Sequence, residues 1–160
     1  MPTKDISENE MVQRLVMHEG CELMPYKCSA GYLTIGVGRN LETNPLTSEE
    51  KKVCGDWKHG ITKNAAFYLL RNDISRVMKE CSKNIPFFNT LDAERRYCLI
   101  DMCFNMGIKR LLGFQKMLSA MGCGDWNWAA DECLTSKYAK DTGIRARRIA
   151  KTIRTGRFEV

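Results

Sequence analysis

Residues 18–39 read HEGCELMPYKCSAGYLTIGVGR, and the fold turns on how this stretch divides. Ahead of it, Met11, Val12, Leu15 and Val16 recur at helical spacing. The helix they mark stops at Gly20, a residue suited to the position just past a helix C-terminus. Pro25 opposes further helix, and the run from Tyr32 to Val37 is β-branched and aromatic among glycines. Residues 24–38 therefore read as a small hairpin turning at Ser29-Ala30-Gly31, with further strand possible toward Asn40. This division leaves Glu19 at a helix end, Cys28 at the hairpin turn and Thr34 on the return strand.

Downstream the periodicity is helical. Thr47-Ser-Glu-Glu is a capping box that opens a short helix. Thr62 to about Cys81 is a long helix, with Ala66, Leu69, Leu70, Asp73, Ile74 and Val77 at helical intervals. Asp92 to Met106, closed by Gly107, is apolar on nearly every face, as a helix buried within a bundle must be. Shorter helices around 114–121 and 125–134 precede one from about 143 to 154, where Ala146, Ile149, Ala150 and Ile153 form an apolar stripe. The expected fold class is α+β, mainly helical and two-lobed. One domain, 1–160, would hold a β-containing lobe at about 20–61 and a helical lobe from about 1–19 and 81–160. A connecting helix at about 62–81 would join them.

Composition narrows the function classes. A chain of 160 residues, 44% hydrophobic and 28% charged, is long enough to bury a core. No run approaches the length needed to span a bilayer. The polar start, MPTKDISENEM, has no hydrophobic leader, which predicts synthesis and retention in a cytoplasm. Eight cysteines are scattered without a C-x-x-C pair, and His18 and His59 stand in no zinc-ligand spacing, so neither a disulfide framework nor a metal or other cofactor is expected. The net charge of +6 concentrates after residue 143, where Arg145, Arg147, Arg148, Lys151, Arg154 and Arg157 oppose only Glu159. No stacking aromatics are interleaved with those arginines, which argues against nucleic acid. The apolar stripe reads instead as a helix packed on a core, with one arginine free to serve a site.

Glu19, Cys28 and Thr34 suggest chemistry as well as fold. The carbonyl end of a helix disfavours a carboxylate, so Glu19 is expected to hold its proton more readily than usual, as a general acid requires. Alternation along a strand puts Tyr32 and Thr34 on one face. A thiol and a hydroxyl opposite an acid could position and activate a water. The same three residues could equally be a solvated glutamate, a packed cysteine and an ordinary strand threonine.

The spacing Glu19–eight residues–Cys28–five residues–Thr34 resembles the Glu–(Asp or Cys)–Thr triad of the phage-type lysozymes, the endolysins of glycoside hydrolase family 24. The likeness extends through Tyr26-Lys27, Thr34-Ile35-Gly36-Val37-Gly38, Ile61-Thr62-Lys63, Leu91-Asp92-Ala93, Phe104-Asn105-Met106-Gly107, Arg145-Ala146 and Arg154-Thr155-Gly156, about residues 8 to 158. It implies a lysozyme-like fold and a muramidase that cleaves the β-1,4 bond between N-acetylmuramic acid and N-acetylglucosamine of bacterial peptidoglycan. Glu19 would protonate the glycosidic oxygen, while Cys28 and Thr34 would position or activate water. A thiol ionises near pH 8.5 and is a weaker base than a carboxylate at neutral pH unless activated. Inverting and retaining outcomes both stay open, with inversion favoured by the room that family geometry leaves for water.

Other roles follow from the same resemblance. Phe104, Asn105 and Asn40 would bind substrate, while Met117 and Glu132 stand at groove positions but depart from the family. Arg145 would support Glu19. His18 replaces a common acidic neighbour, leaving that arginine one anionic partner fewer. Arg39 would pair structurally with Asp73. A monomer is expected, with no stable membrane insertion, made in the host cytoplasm and reaching the wall in the periplasm through membrane lesions opened by a holin. A virion-borne lysozyme domain, a lytic transglycosylase and a non-catalytic wall-binding protein are the alternatives.

Overall fold

The structure, a computed structural model, describes residues 5–159; part of the polar start read for a leader lies outside them. The chain divides into two compact units, Ser7–Arg76 and the residues from Val77 onward together with 5 and 6.

In the first unit, helix α1 (Glu8–Glu19) is capped by Ser7, whose hydroxyl accepts the Glu10 amide at 3.1 Å. It ends at Gly20, where φ is 74° and the amide returns to the Val16 carbonyl at 2.8 Å. The sequence places α1 with the later helices, but it groups with the sheet. An ion pair of 3.1 Å from Glu8 to Arg71 and the packing of Glu19 on Gly38 are among its links there. The sheet is antiparallel in the order β1 (Glu22–Lys27), β2 (Leu33–Gly36), β3 (Arg39–Asn40). Pro25 is tolerated because β1 is an edge strand, and the register shifts between Glu22 and Tyr26 beside it. Beyond the shift, Tyr26 faces Thr34 and Lys27 faces Leu33.

Helix α2 (Ser48–Cys54) opens with both hydrogen bonds of the expected capping box. The N3 residue of that box, Glu50, has a second task. Its carboxylate holds the buried Arg39 guanidinium at 2.7 and 3.0 Å, and Asp73 binds the same Arg39 Nη1 at 3.1 Å. The Arg39–Asp73 pair is thus present, and Glu50 completes it. Ile35, Leu41, Leu46, Ile61, Ala66 and Leu69 cluster as the apolar core of this unit. Burying each large member is worth roughly 1.5–3 kcal/mol.

Helix α3 (Lys63–Asn84) contributes to both units. The second unit continues with α4 (Ala93–Met106), α5 (Ile108–Leu112), α6 (Gln115–Gly122), α7 (Trp126–Leu134), α8 (Lys137–Thr142) and α9 (Ile144–Thr155). α4 is capped by Asp92 and is buried without a break from Tyr97 to Cys103, as its apolar circumference requires. α9 packs on α4, α7 and α8 through Ala146, Ile149, Ala150 and Ile153. The architecture is therefore the mainly helical α+β one anticipated, while α5 and α8 are additions too short to leave a periodic signal. All eight cysteines are free thiols, five of them buried, with Cys21 and Cys28 half-buried and Cys123 exposed. No helix among the described residues is long and apolar enough to cross a membrane.

Candidate active site

Glu19, Cys28 and Thr34 all lie in the first unit, on α1, the hairpin turn and β2. Glu19 is half-buried at the last turn of its helix, with its carboxylate against the backbone of Gly38. Gly38 has φ +67°, and a β-carbon there would fall 2.8 Å from Glu19 Oε2. The glycine spacing in Thr34-Ile35-Gly36-Val37-Gly38 therefore serves the acid directly: only a residue without a side chain lets the strand end approach it so closely.

The hairpin turn is built around Cys28. Its amide donates to the Tyr32 carbonyl at 2.9 Å and its carbonyl accepts from Gly31 at 2.8 Å, closing the turn, with Gly31 at φ +85°. Burial by itself would raise the thiol. Hydrogen bonds from the backbone of Tyr32, Ala30 and Gly31 and from the Thr34 side chain outweigh it, and the net shift is downward from 9.0. Amides converging on a sulfur stabilise its anion.

Thr34 is 3% exposed, and its hydroxyl donates to the Tyr32 carbonyl at 2.9 Å. A hydroxyl has one proton and two acceptor positions. It can therefore accept from the neutral thiol while donating to that carbonyl, or turn its proton to the thiolate. The Cys28–Thr34 contact is thus a proton-responsive pair.

Tyr26 completes the cluster and was not singled out by the sequence as a site residue. It sits opposite Thr34 across the hairpin. Its phenol is pushed upward first by burial and then by the negative charges of Glu19 and Cys28, so it stays a neutral donor within electrostatic reach of both. The strand register was the signal that could have found it.

The remaining candidates are placed less uniformly. Asn40 on β3 uses its side-chain oxygen to accept the amides of Glu42 and Thr43 at 2.9 and 3.1 Å, capping its own turn. Phe104, half-buried, and Asn105, exposed, close α4 in the second unit. Asn105 opens onto a cavity of about 650 Å³ within that unit, shared with Met117 and Glu132.

Arg145 is also in the second unit, buried at the start of α9, where its Nε donates to Asp101 Oδ1 at 2.8 Å and its Nη2 to the Asp101 carbonyl at 3.3 Å. Tyr97 donates to the other Asp101 oxygen at 2.8 Å. Arg145 therefore has the anionic partner that its position relative to His18 left in question. Sequence reading missed Asp101 because it lies inside an apolar helix without a pattern of its own.

Comparison with known proteins bears on the whole constellation. The family model for phage lysozyme matches residues 16–151. The pre-baseplate central spike protein Gp5 of Enterobacteria phage T4 is 30% identical over 99% of this chain, which spans about 30% of that protein's length. Probable T4-type lysozyme 1 of Dictyostelium discoideum is 34% identical over 86% of the chain and 89% of its own length, and probable T4-type lysozyme 2 of the same organism is 28% identical over the same shares.

Proposed function

The chain belongs to the phage lysozyme family, glycosidases that act on peptidoglycan, and from that premise we propose that it is a muramidase cleaving the β-1,4 bond between N-acetylmuramic acid and N-acetylglucosamine with Glu19, Cys28 and Thr34. The observation that carries this reading is the hairpin turn whose amides and Thr34 hydroxyl lower the Cys28 thiol. An unassisted thiol would be a poor base near neutral pH; one stabilised as thiolate is a usable base.

In the proposed reaction, Glu19 gives its proton to the glycosidic oxygen as that bond breaks. A water attacks the anomeric carbon, passing its proton to the Cys28 thiolate, while Thr34 holds the water or turns its hydroxyl to the sulfur. Tyr26, neutral, donates a hydrogen bond within the cluster. Inversion follows if water attacks directly. Attack by the sulfur itself, with a thioglycoside later hydrolysed, would give retention. Phe104 and Asn105 are the proposed substrate contacts, with Asn40 a weaker one because its side-chain oxygen is engaged in its own turn. Arg145 is the proposed supporting residue.

The proposed setting is a phage lytic cycle: a monomer made in the host cytoplasm, admitted to the periplasm by a holin, lysing the cell by degrading its wall. No cofactor and no nucleic acid enter the scheme. A virion-associated role is the second reading, favoured by the similarity to a phage spike protein along nearly the whole chain.

The test is mass spectrometry of soluble products from purified peptidoglycan, with Glu19→Gln as control. Reducing N-acetylmuramic acid ends, absent with the variant, are expected. Anhydro ends would make the enzyme a transglycosylase, and the absence of products from the unaltered protein would leave only the fold in common with the family.

A further inference from the structure

The peptide group between Tyr32 and Leu33 is held on both of its sides. Its carbonyl accepts the Cys28 amide and the Thr34 hydroxyl, each at 2.9 Å, and so ties the hairpin turn to the return strand. Its N–H, that of Leu33, donates to Glu42 Oε2 at 2.6 Å. A peptide group is planar, so a partner that fixes its N–H also fixes the direction of its carbonyl. The partner here is a carboxylate, and hydrogen bonds to an ionised acceptor are short and about twice as strong as neutral ones. Glu42 is itself aimed. The Asn40 side-chain oxygen accepts the amides of Glu42 and Thr43 at 2.9 and 3.1 Å, and the adjacent Leu41 amide donates to the Leu33 carbonyl at 2.9 Å. A continuous chain of hydrogen bonds therefore runs from Asn40 through Glu42 and one peptide plane to Cys28 and Thr34.

We propose that Glu42 is a positioning residue for the hydrolytic cluster, acting through the Tyr32–Leu33 peptide, whose carbonyl it holds against the Cys28 amide and the Thr34 hydroxyl. The inference rests on the muramidase reading and deepens it by one residue outside the Glu19, Cys28 and Thr34 set. Asn40 then serves the site by aiming Glu42. Without the carboxylate the peptide plane is free to pivot. The turn loses its closing bond, and the backbone donors of Ala30, Gly31 and Tyr32 no longer converge on the sulfur. The consequence has a definite sign. Loss of positioning makes the Cys28 thiolate less stable, whereas removal of a nearby anion, acting only through space, would make it more stable. Thr34 on β2 also bonds the sulfur, and Tyr26 on β1 feels the charges of Cys28 and Glu19; all of these are unchanged by a substitution at Glu42.

The test compares the unaltered protein with Glu42→Ala and Glu42→Gln by two readouts. The first needs no catalysis: the pH midpoint of Cys28 alkylation by iodoacetamide, followed by peptide mass spectrometry, which separates Cys28 from the other thiols. In Glu42→Ala the midpoint should rise enough to leave roughly fivefold less thiolate at pH 7, the worth of one exposed hydrogen bond. Glu42→Gln keeps the length and a neutral acceptor, so about half of the effect on a logarithmic scale, roughly twofold, is expected. That variant also carries the test should Glu42→Ala fold poorly. The second readout is hydrolysis of purified peptidoglycan, where kcat should fall by the same factors. A melting temperature lowered with the Cys28 midpoint unmoved would assign Glu42 to the fold alone and overturn the proposal. A midpoint that moves down would overturn it as well, by showing a through-space charge effect. If the unaltered protein releases no sugar, the muramidase reading fails instead, and the alkylation midpoint still decides whether Glu42 positions the hairpin.

Discussion

The carboxylate of Glu19 lies against the backbone of Gly38, and a β-carbon at that glycine would sit 2.8 Å from Oε2. The acid is thus located by the end of a β-strand as well as by its own helix. Gly38 is also in the left-handed region at φ +67°, which costs an L-residue roughly 1–2 kcal/mol. Gly38→Ala should accordingly lower the unfolding free energy by about that amount and, if Glu19 is the general acid proposed above, lower kcat by at least tenfold by displacing it, a sensitivity expected when a catalytic group moves by a fraction of an ångström. Urea titration and kcat measured together separate the two effects. A destabilised variant with unchanged kcat would show that Gly38 serves the fold alone.

Cys28 carries a prediction in pH. Its thiol is shifted down from 9.0, so the thiolate fraction, and with it activity if Cys28 is the base, rises with pH along a limb centred below 9. Cys28→Asp should move that limb toward acid, near the usual aspartate value of about 4, while Cys28→Ser should abolish it. Mild peroxide should inactivate the native enzyme through oxidation of Cys28 and spare Cys28→Asp. An unchanged pH profile in Cys28→Asp, or undiminished activity with Cys28 verifiably oxidised, would assign the residue to packing.

Much of this arrangement could be read before the structure, and the limits have physical causes. The helix end at Gly20, the hairpin and the capping box at Thr47 are local, set by backbone preferences of neighbouring residues, and they stand where expected. The contacts that tune the site are not local. Tyr26 meets Thr34 only through the register beyond the Pro25 shift, and Glu50 reaches Arg39 only once α2 is folded onto the sheet. Asp101 is a lone acid among apolar neighbours, and only the fold brings Arg145 to it across 44 residues. The grouping of α1 with the sheet eluded the sequence for the same reason, since packing partners are chosen by tertiary contact and leave the helix's own periodicity unchanged.

The Asp101–Arg145 pair gives a stability prediction. Asp101 has no exposed surface, and Arg145 is 8% exposed. Replacing the arginine by methionine keeps its apolar stem but takes the paired guanidinium away from a buried carboxylate. Breaking a buried pair from one side costs about 3–5 kcal/mol. Arg145→Met should lower the urea midpoint correspondingly, and the double variant Arg145→Met, Asp101→Leu should recover most of the loss. A double variant no more stable than the single one would mean that the cost arises from packing and not from the stranded charge.

The buried Arg39 network predicts an opposite pH dependence for its two acids. Burial would raise Glu50, but two hydrogen bonds from Arg39, the Thr47 amide and Asn72 bring it down to about 2. Asp73 shares one Arg39 nitrogen with Glu50, and burial, its dominant influence, pushes it up to about 6 despite Arg39 and Arg76. Glu50 therefore stabilises the fold above its ordinary value of 4.5, and that contribution disappears only as pH falls toward 2. For Asp73 the sign reverses: the folded state favours the protonated form, so its contribution is complete below 3.8 and lost as pH rises through 6. Asp73→Asn lacks this titration, and relative to it the native protein should lose about 2 kcal/mol, at one pK unit per 1.36 kcal/mol, between pH 4 and pH 7. Thermal melts of both proteins across that range measure the difference directly. A stability gap that stays constant with pH would show that the Arg39 pairing, and not burial, governs Asp73.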